Sequence, residues 1–418
     1  MAVKTLSYFK KPVFLSSLIC IFIFYSGLFN LPDKNRLVCL VPQNQIIEIK
    51  GQILNSPAKT SNGKYYTADF RVGWIKSRYG VLSSAKGRTK VYIPSSLAEA
   101  YSPGKLYSAA KTAYIYESGA CYTFKGKYSP NGFIADTCVL CSWPPDFMGR
   151  LQYFRALCRL HFKRLMYSWG YAGGLLLALL SGSREYTDSA TQDAFRRAGL
   201  SHILALSGMH LSMFSAIALF FGNRAGIKKL TFVLRIIALI GFVWFAGFSP
   251  SLLRAFICTM LTIIAAIAGT RQPDMLSILC FSFLLQCAIS PSDISNTGFM
   301  LSYGALAGIL LTSRFFNRFY SKLTPKAIAS SLSAATGAQT ITAPISLKVF
   351  GSFSPIGIIS ATVVSPFVTV FIYSGLILII LSLLFPVLAI PSGIFINLQY
   401  TVINSIVKIF SLVPNLKL

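Results

Sequence analysis

The chain has 418 residues, 54% of them hydrophobic, with a mean hydropathy of +0.60. Apolar stretches of roughly 16 to 30 residues recur, long enough to cross about 30 Å of hydrocarbon, which excludes a water-soluble globular enzyme and implies a polytopic membrane protein. Its 39 Lys and Arg against 12 Asp and Glu leave a net charge of +27, and the bias of basic residues toward cytoplasmic loops covers only part of it.

In chain order, Lys4, Lys10 and Lys11 precede an apolar span from about Val13 to Leu31. This predicts a membrane anchor over residues 1–32 with its N-terminus in the cytoplasm. A cleavable signal peptide is the rival reading, but no clear small-x-small cleavage site follows the apolar run. Residues 33–149 hold no membrane-length run and carry 15 basic and 7 acidic residues, net +8. The stretches IIEIKGQIL, KYYTADFRV and RTKVYIP, separated by Asn, Gly, Pro and Ser, read as short antiparallel strands of a small β-barrel or sandwich outside the membrane. Cys39, Cys121, Cys138 and Cys141 fall in or beside this domain, where an oxidising compartment would permit one or two disulfides. One Cys-x-x-Cys at 138–141 is a weak zinc signal.

Residues 150–182 begin with RLQYFRALCRLHFKRLMYS, which puts Arg155, Arg159 and Lys163 on one helical face and Phe154, Leu157 and Leu165 opposite. This predicts an amphipathic helix lying in the membrane interface, with its basic stripe free for phosphates and His161 at the surface. The following GGLLLALLSG is too short to span and reads as a possible re-entrant segment. In residues 183–418, basic loops at 223–229, 269–274 and 313–326 recur at every second turn of the chain. That parity predicts spans at 202–222, 230–248, 252–269, 275–290, 297–313 and 327–347. After Ser354 a long apolar run is broken by Pro366, Pro386 and Pro391, and the number of spans stays open.

The polar points inside these spans are the candidate functional residues. SHILALSGMH brings His202, Ser207, Gly208 and His210 to the outer end of the first span of the series. On an ideal helix the two histidines stand about 80° apart, so with Ser207 they share one side. Ionisable groups at membrane depth are costly and face protein or water, so these residues line a pathway or form a polar packing knot. Arg254, Ser302 with Tyr303, and Gln339 with Pro344 are further polar points, which could instead be a snorkelling arginine and ordinary interhelical hydrogen bonds. No histidine follows His210, and there is no GxxxxGK[ST] loop, so neither a His-rich metallohydrolase nor an ATP motor is expected. An intramembrane serine hydrolase built on Ala-Leu-Ser-Gly remains an enzyme alternative. It would need its base from another element, and only His161, His202 and His210 exist.

Across about Gln45 to Phe367 the sequence resembles the competence-domain membrane channel of the ComEC family. The most specific match is LLALLSGSREYTDSATQDAFRRAGLSHILALSGMHLSMF, with its H-x-x-A-x-S-G-x-H pattern; PSLLRAFICTM, GFMLSYGALAG and GAQTITAPISLKVFGSFSP support it. The resemblance implies a polytopic α-helical membrane protein with a small all-β, OB-like extracytoplasmic domain near the N-terminus, in the bacterial inner membrane. It implies passage of single-stranded DNA into the cytoplasm during natural transformation, with no cofactor and no catalysis. A separate DNA receptor and a cytosolic ATP-driven motor are expected as partners beside membrane lipids, and a separate nuclease is a possible further one. Family members commonly end in a metallo-β-lactamase-like domain; none lies in the sequence to Leu418, so nuclease activity is not expected of these residues. Where the family tends to have an asparagine before the proline of SATVVSPF, this chain has Ala361 and Thr362.

A strand carries one phosphate per nucleotide, so its path needs basic or dipolar lining. His202, Ser207, Gly208, His210, Arg254, Ser302 and Gln339 are the expected pathway residues. Lys86, Arg88, Lys90, Arg155, Arg159 and Lys163 are the expected outer DNA-binding surface. Tyr65, Tyr66, Phe70 and Trp74 could stack bases or fill the barrel. A transporter of another anionic polymer or lipid, and a structural membrane subunit without a conduit, are the competing readings.

Overall fold

The computed structural model describes residues 12–26, 37–55, 57–60, 63–99, 116–141, 143–184, 186–224, 226–247, 249–269 and 274–417. Lys4, Lys10 and Lys11, the end of the apolar run at Leu31, Asn62 and most of the 269–274 loop lie outside the described residues.

The β-region is a closed barrel. β1 (Ile46–Ile53) pairs antiparallel with β3 (Tyr65–Ser77) and with β6 (Cys121–Ser129). β3 also pairs with the short β2 (Ala58–Lys59) and β4 (Leu82–Ser84), and with β5 (Arg88–Pro94); β6 pairs with β7 (Gly132–Leu140). The ring closes where β5 and β7 run parallel, Val91 opposite Phe133. Five strands joined in the order β1, β3, β5, β7, β6 and back to β1, with one parallel contact, make an OB-like barrel.

Alternation drives it. In β5, Thr89, Val91 and Ile93 point into a core with Ile49, Phe70, Tyr122, Phe124 and Phe133, while Arg88 and Lys90 point out. The strands bend at register shifts beside Gly51 and Gly126, where a Cβ would stand 1.9 Å from the Arg71 carbonyl oxygen and 2.0 Å from that of Ile134. Only glycine permits that approach. The four cysteines of this region are free thiols rather than disulfides; Cys138 instead bonds the Tyr116 hydroxyl at 2.7 Å.

The short α2 (Ser95–Glu99) follows β5. The remaining helices are α1 (Pro12–Tyr25), α3 (Phe147–Ser168), α4 (Gly170–Ser181), α5 (Ser189–Arg197), α6 (Gly208–Arg224), α7 (Lys228–Ala246), α8 (Pro250–Ile267), α9 (Met275–Ile289), α10 (Thr297–Tyr320), α11 (Lys326–Phe350), α12 (Gly357–Leu384) and α13 (Ala389–Ser411). A two-residue pairing of β8 (Ser352–Phe353) with β9 (Leu416–Lys417) ties the chain's end to the α11–α12 connection.

Among the described residues, five segments are long and apolar enough to cross a membrane: those of α7, α8, α10 and α12, and Pro386–Ser411 around α13. The chain is a multi-pass membrane protein. The run after Ser354 resolves into two long helices. Pro366 is accommodated inside α12, Pro386 opens the break between helices, and Pro391 sits in the first turn of α13. The short α4 is a core helix, with Ala172 to Ser181 all buried against α12 and α13.

Hydrogen bonds fix which helix ends lie together. The Ser251 hydroxyl donates to the Leu206 carbonyl at 2.8 Å, Gln286 Nε2 to the Pro250 carbonyl at 3.1 Å, and Arg159 Nη1 to the Phe245 carbonyl at 2.8 Å. The starts of α6 and α8 and the ends of α7 and α9 therefore share the barrel end of the bundle. α1 runs alongside α9 in the same direction, with Ser17 bonded to the Cys280 carbonyl and Tyr25 to that of Ile294, so its Pro12 end points away from the barrel. With basic loops at that far end, a reporter fused after Lys228 is expected to read as cytoplasmic and one inserted near Asn62 as outside. The two fusions reporting one compartment would refute this orientation.

Candidate functional site

On the barrel, Lys86, Arg88 and Lys90 are exposed on the outer face. Arg88 stands opposite Arg71 and Lys90 opposite Asp69, which also binds Asn55 at 2.9 Å. Close by, Trp74 is 55% exposed, and Tyr92 meets Tyr65 edge to face at 6.3 Å. Phe70 is fully in the core and Tyr66 packs against it. Trp74 is thus the open base-sized ring of the four aromatics singled out in this stretch.

The basic stripe of α3 has a different setting from the one its amphipathic pattern suggests. Arg159 is only 2% exposed. Its Nε pairs with Glu117 Oε2 at 3.1 Å, and its Nη1 donates to the Phe245 and Ala246 carbonyls at 2.8 and 3.3 Å. Lys163 Nζ lies 2.7 Å from Glu117 Oε1, and Arg155 Nη2 donates to Phe245 at 3.4 Å. The stripe faces the protein, while Phe154 on the opposite side is 57% exposed.

The reason is electrostatic. The last carbonyls of α7 and the Glu117 carboxylate give the cations acceptors that an apolar surface could not supply. Burial, then the neighbouring Arg159 charge, pulls the Arg155 guanidinium down to about 10, with Glu117 opposing, so it remains cationic at neutral pH. Arg155, Arg159 and Lys163 form a clasp between barrel, α3 and α7.

The SHILALSGMH segment folds differently from the helix its length suggests. Residues 201–205 form turns, and α6 starts at Gly208 rather than His202. His202 is exposed and His210 is 1% exposed, so the two rings do not share a helical face. The backbone N–H of Ser207 donates to His210 Nδ1 at 3.2 Å, with the Ser207 hydroxyl 3.3 Å from the same nitrogen. This is the capping-box geometry, an imidazole standing where glutamate or glutamine usually reaches back to the N-cap amide. An acceptor at Nδ1 puts the neutral ring's proton on Nε2, which is buried without a hydrogen-bond partner among the described residues. With Nδ1 accepting from the Ser207 amide, Ser207 and His210 form a helix cap.

Arg254 lies beside this cap. It is 9% exposed, and Nη2 would stand 3.6 Å from a Cβ on Gly208. Its Nη1 donates to the Ser302 carbonyl, so the contribution of Ser302 to this contact is its backbone. Behind it runs a polar chain that links α8, α9 and α10. Tyr303 donates to Gln286 Oε1 at 3.1 Å and lies 3.4 Å from the Ser282 hydroxyl; Gln286 Nε2 reaches Asp293 at 3.1 Å.

Gln339 belongs elsewhere. Its Nε2 would meet a Cβ on Gly357 at 2.9 Å, at the close crossing of Gly199 and Gly357. Gly208, His210 and Arg254 gather with Ser207 and the Ser302 carbonyl, whereas among the described residues no hydrogen bond joins His202 or Gln339 to them. Gln286 was readable as a lone amide in an apolar run, the same signal that marks Gln339. Glu117, one acid in a polar loop, carries no such signal.

The family described as Competence protein matches residues 179–418, from the end of α4 through α13. The chain is 28% identical to ComE operon protein 3 of Bacillus subtilis over 48% of its own length and 25% of that protein. It is 28% identical to Recombination protein 2 of Haemophilus influenzae over 36% of its length and 20% of the relative. An uncharacterised protein of Aquifex aeolicus is 27% identical over 56% of this chain and 53% of its own. The aligned part thus spans between a fifth and about half of these relatives. No solved structure matches.

Proposed function

Because the chain belongs to the Competence protein family, we propose that it serves DNA uptake in natural transformation, as an inner-membrane conduit that passes single-stranded DNA into the cytoplasm. The observation that carries this reading is Arg254. It is a buried guanidinium inside the family-matched region with no carboxylate in ion-pair range among the described residues, next to the first turn of α6. A polyanion in transit supplies the missing charge. The barrel then acts as the basic entrance, and the chain acts as a conduit without catalysis. A receptor and an ATP-driven motor act with it as separate proteins, and Pro12 lies toward the cytoplasm. The test is uptake of labelled DNA in a deletion strain complemented with this chain, scoring cytosolic and external label separately. Cytosolic label is expected to return on complementation; another anionic polymer as cargo predicts that it does not.

The entrance has its own test. Replacing Lys86, Arg88 and Lys90 together by Ala in the full chain is expected to weaken oligonucleotide binding and to lower the slope of log affinity against log salt by up to about 0.7 for each phosphate no longer neutralised. An unchanged affinity and slope would make this run a solvated strand face only.

A further inference from the structure

The first turn of a helix leaves amide N–H groups without intrahelical partners and carries a partial positive charge. In α6 the Ser207 amide is taken by His210, but the Gly208 and Met209 amides have no partner among the described residues. A second, independent feature faces that turn. Arg254 is 9% exposed, directs Nη2 toward Gly208, and keeps Nε buried without a hydrogen-bond partner. Within the same turn, His210 buries an unpartnered Nε2–H. Free amides at a helix start beside a buried guanidinium, with no carboxylate in ion-pair range of it among the described residues, call for an oxyanion.

We propose that the N-terminal turn of α6 and the Arg254 guanidinium form a seat for one phosphate group of the passing strand, bound by the Gly208 and Met209 amides and by Nη2 and Nε. The proposal rests on the strand-passage reading and deepens it. The contact is to backbone phosphate and not to a base edge, so it reads no sequence. The Ser302 carbonyl, which holds Nη1, keeps the guanidinium fork turned toward α6. The His210 cap fixes the start of the helix and thereby the direction of the free amides.

Two variants test it in the full chain, purified in a maltoside detergent that carries no phosphate. Gly208→Ala adds a methyl group that meets Ala255 Cβ at 3.5 Å and Arg254 Nη2 at 3.6 Å, ordinary contacts that the fold tolerates, yet it occupies the space between amide turn and guanidinium. Arg254→Gln removes the cation. With a fluorescein-labelled oligothymidylate as probe, each is expected to weaken binding roughly tenfold, the scale of one charge-assisted hydrogen bond. Arg254→Gln should also lower the salt slope by about 0.7.

A well-folded Gly208→Ala protein that binds with the affinity of the original chain would overturn the seat while leaving strand passage intact. Failure of the original chain to bind the probe at all would overturn strand passage and the seat with it. A defect that appears only in phospholipid discs, together with less lipid phosphorus per protein, would assign the seat to a lipid headgroup and overturn the strand assignment. Should Arg254→Gln fail to fold, Gly208→Ala decides.

Discussion

Glu117→Ala is expected to destabilise the folded protein by about 3–5 kcal/mol, the cost of leaving buried charge without its partner. Two cations depend on that one carboxylate: Arg159 at 3.1 Å and Lys163 at 2.7 Å, with Arg159 almost wholly excluded from solvent. The loss should be read as a lower thermal midpoint in detergent and a lower abundance in membranes. Because the clasp joins the barrel to α3 and α7, protease sensitivity should rise first at the barrel–α3 junction.

Glu117→Leu combined with Arg159→Met removes two of the three charges and should recover part of the loss, since a neutral pair of similar volume replaces the most buried ion pair, while Lys163 still loses its carboxylate. The Phe245 and Ala246 carbonyls, freed at the end of α7, keep the recovery incomplete. Equal stability of Glu117→Ala and the unaltered chain would show that the clasp is not what holds the barrel on the bundle.

His210→Ala is expected to abolish DNA import into the cytosol while DNA still accumulates outside. The substitution removes the acceptor of the Ser207 amide, which costs about 0.5–2 kcal/mol on the scale of helix caps. It also removes the Nε2–H, and these two effects can be separated. Asn places an amide oxygen close to where Nδ1 stood, so His210→Asn should keep the cap and restore abundance without restoring the Nε2–H. Import that stays abolished in a normally inserted His210→Asn protein supports a role in the path. Import that returns with abundance would reduce the ring to a cap. His210→Leu, which keeps bulk but satisfies no amide, should lower abundance.

The strands of the barrel were legible in the sequence because each alternates inward apolar and outward polar residues, as Arg88, Thr89, Lys90 and Val91 do. Their closure was not, since the parallel contact of β5 with β7 joins residues about 40 apart and leaves no local trace. The stripe of α3 was visible but its direction was not. A 3.6-residue period shows that a helix has two faces, and a single glutamate 42 residues before Arg159 turned the basic face inward.

The apolar pattern puts the start of α6 six residues too early, because Ile203, Leu204 and Leu206 continue it. The cap at Ser207, followed by Gly208 and completed by His210, marks the true start. After Ser354, composition alone left the helix count open, since a proline inside a long helix and one that opens a break look alike in sequence. Arg254 and Gln339 stand out for the same reason, as polar residues where apolar ones are expected, yet only Arg254 sits beside the α6 cap.

The central claim is that the strand passes the start of α6. The most direct measurement places a photo-crosslinking amino acid at Met209 and, in a second protein, at Ile237, which is 61% exposed on α7. Illumination during uptake of labelled DNA is expected to join label to the Met209 position and not to Ile237. Cross-linking at Ile237 alone, or at neither position in cells that still import DNA, would contradict the account.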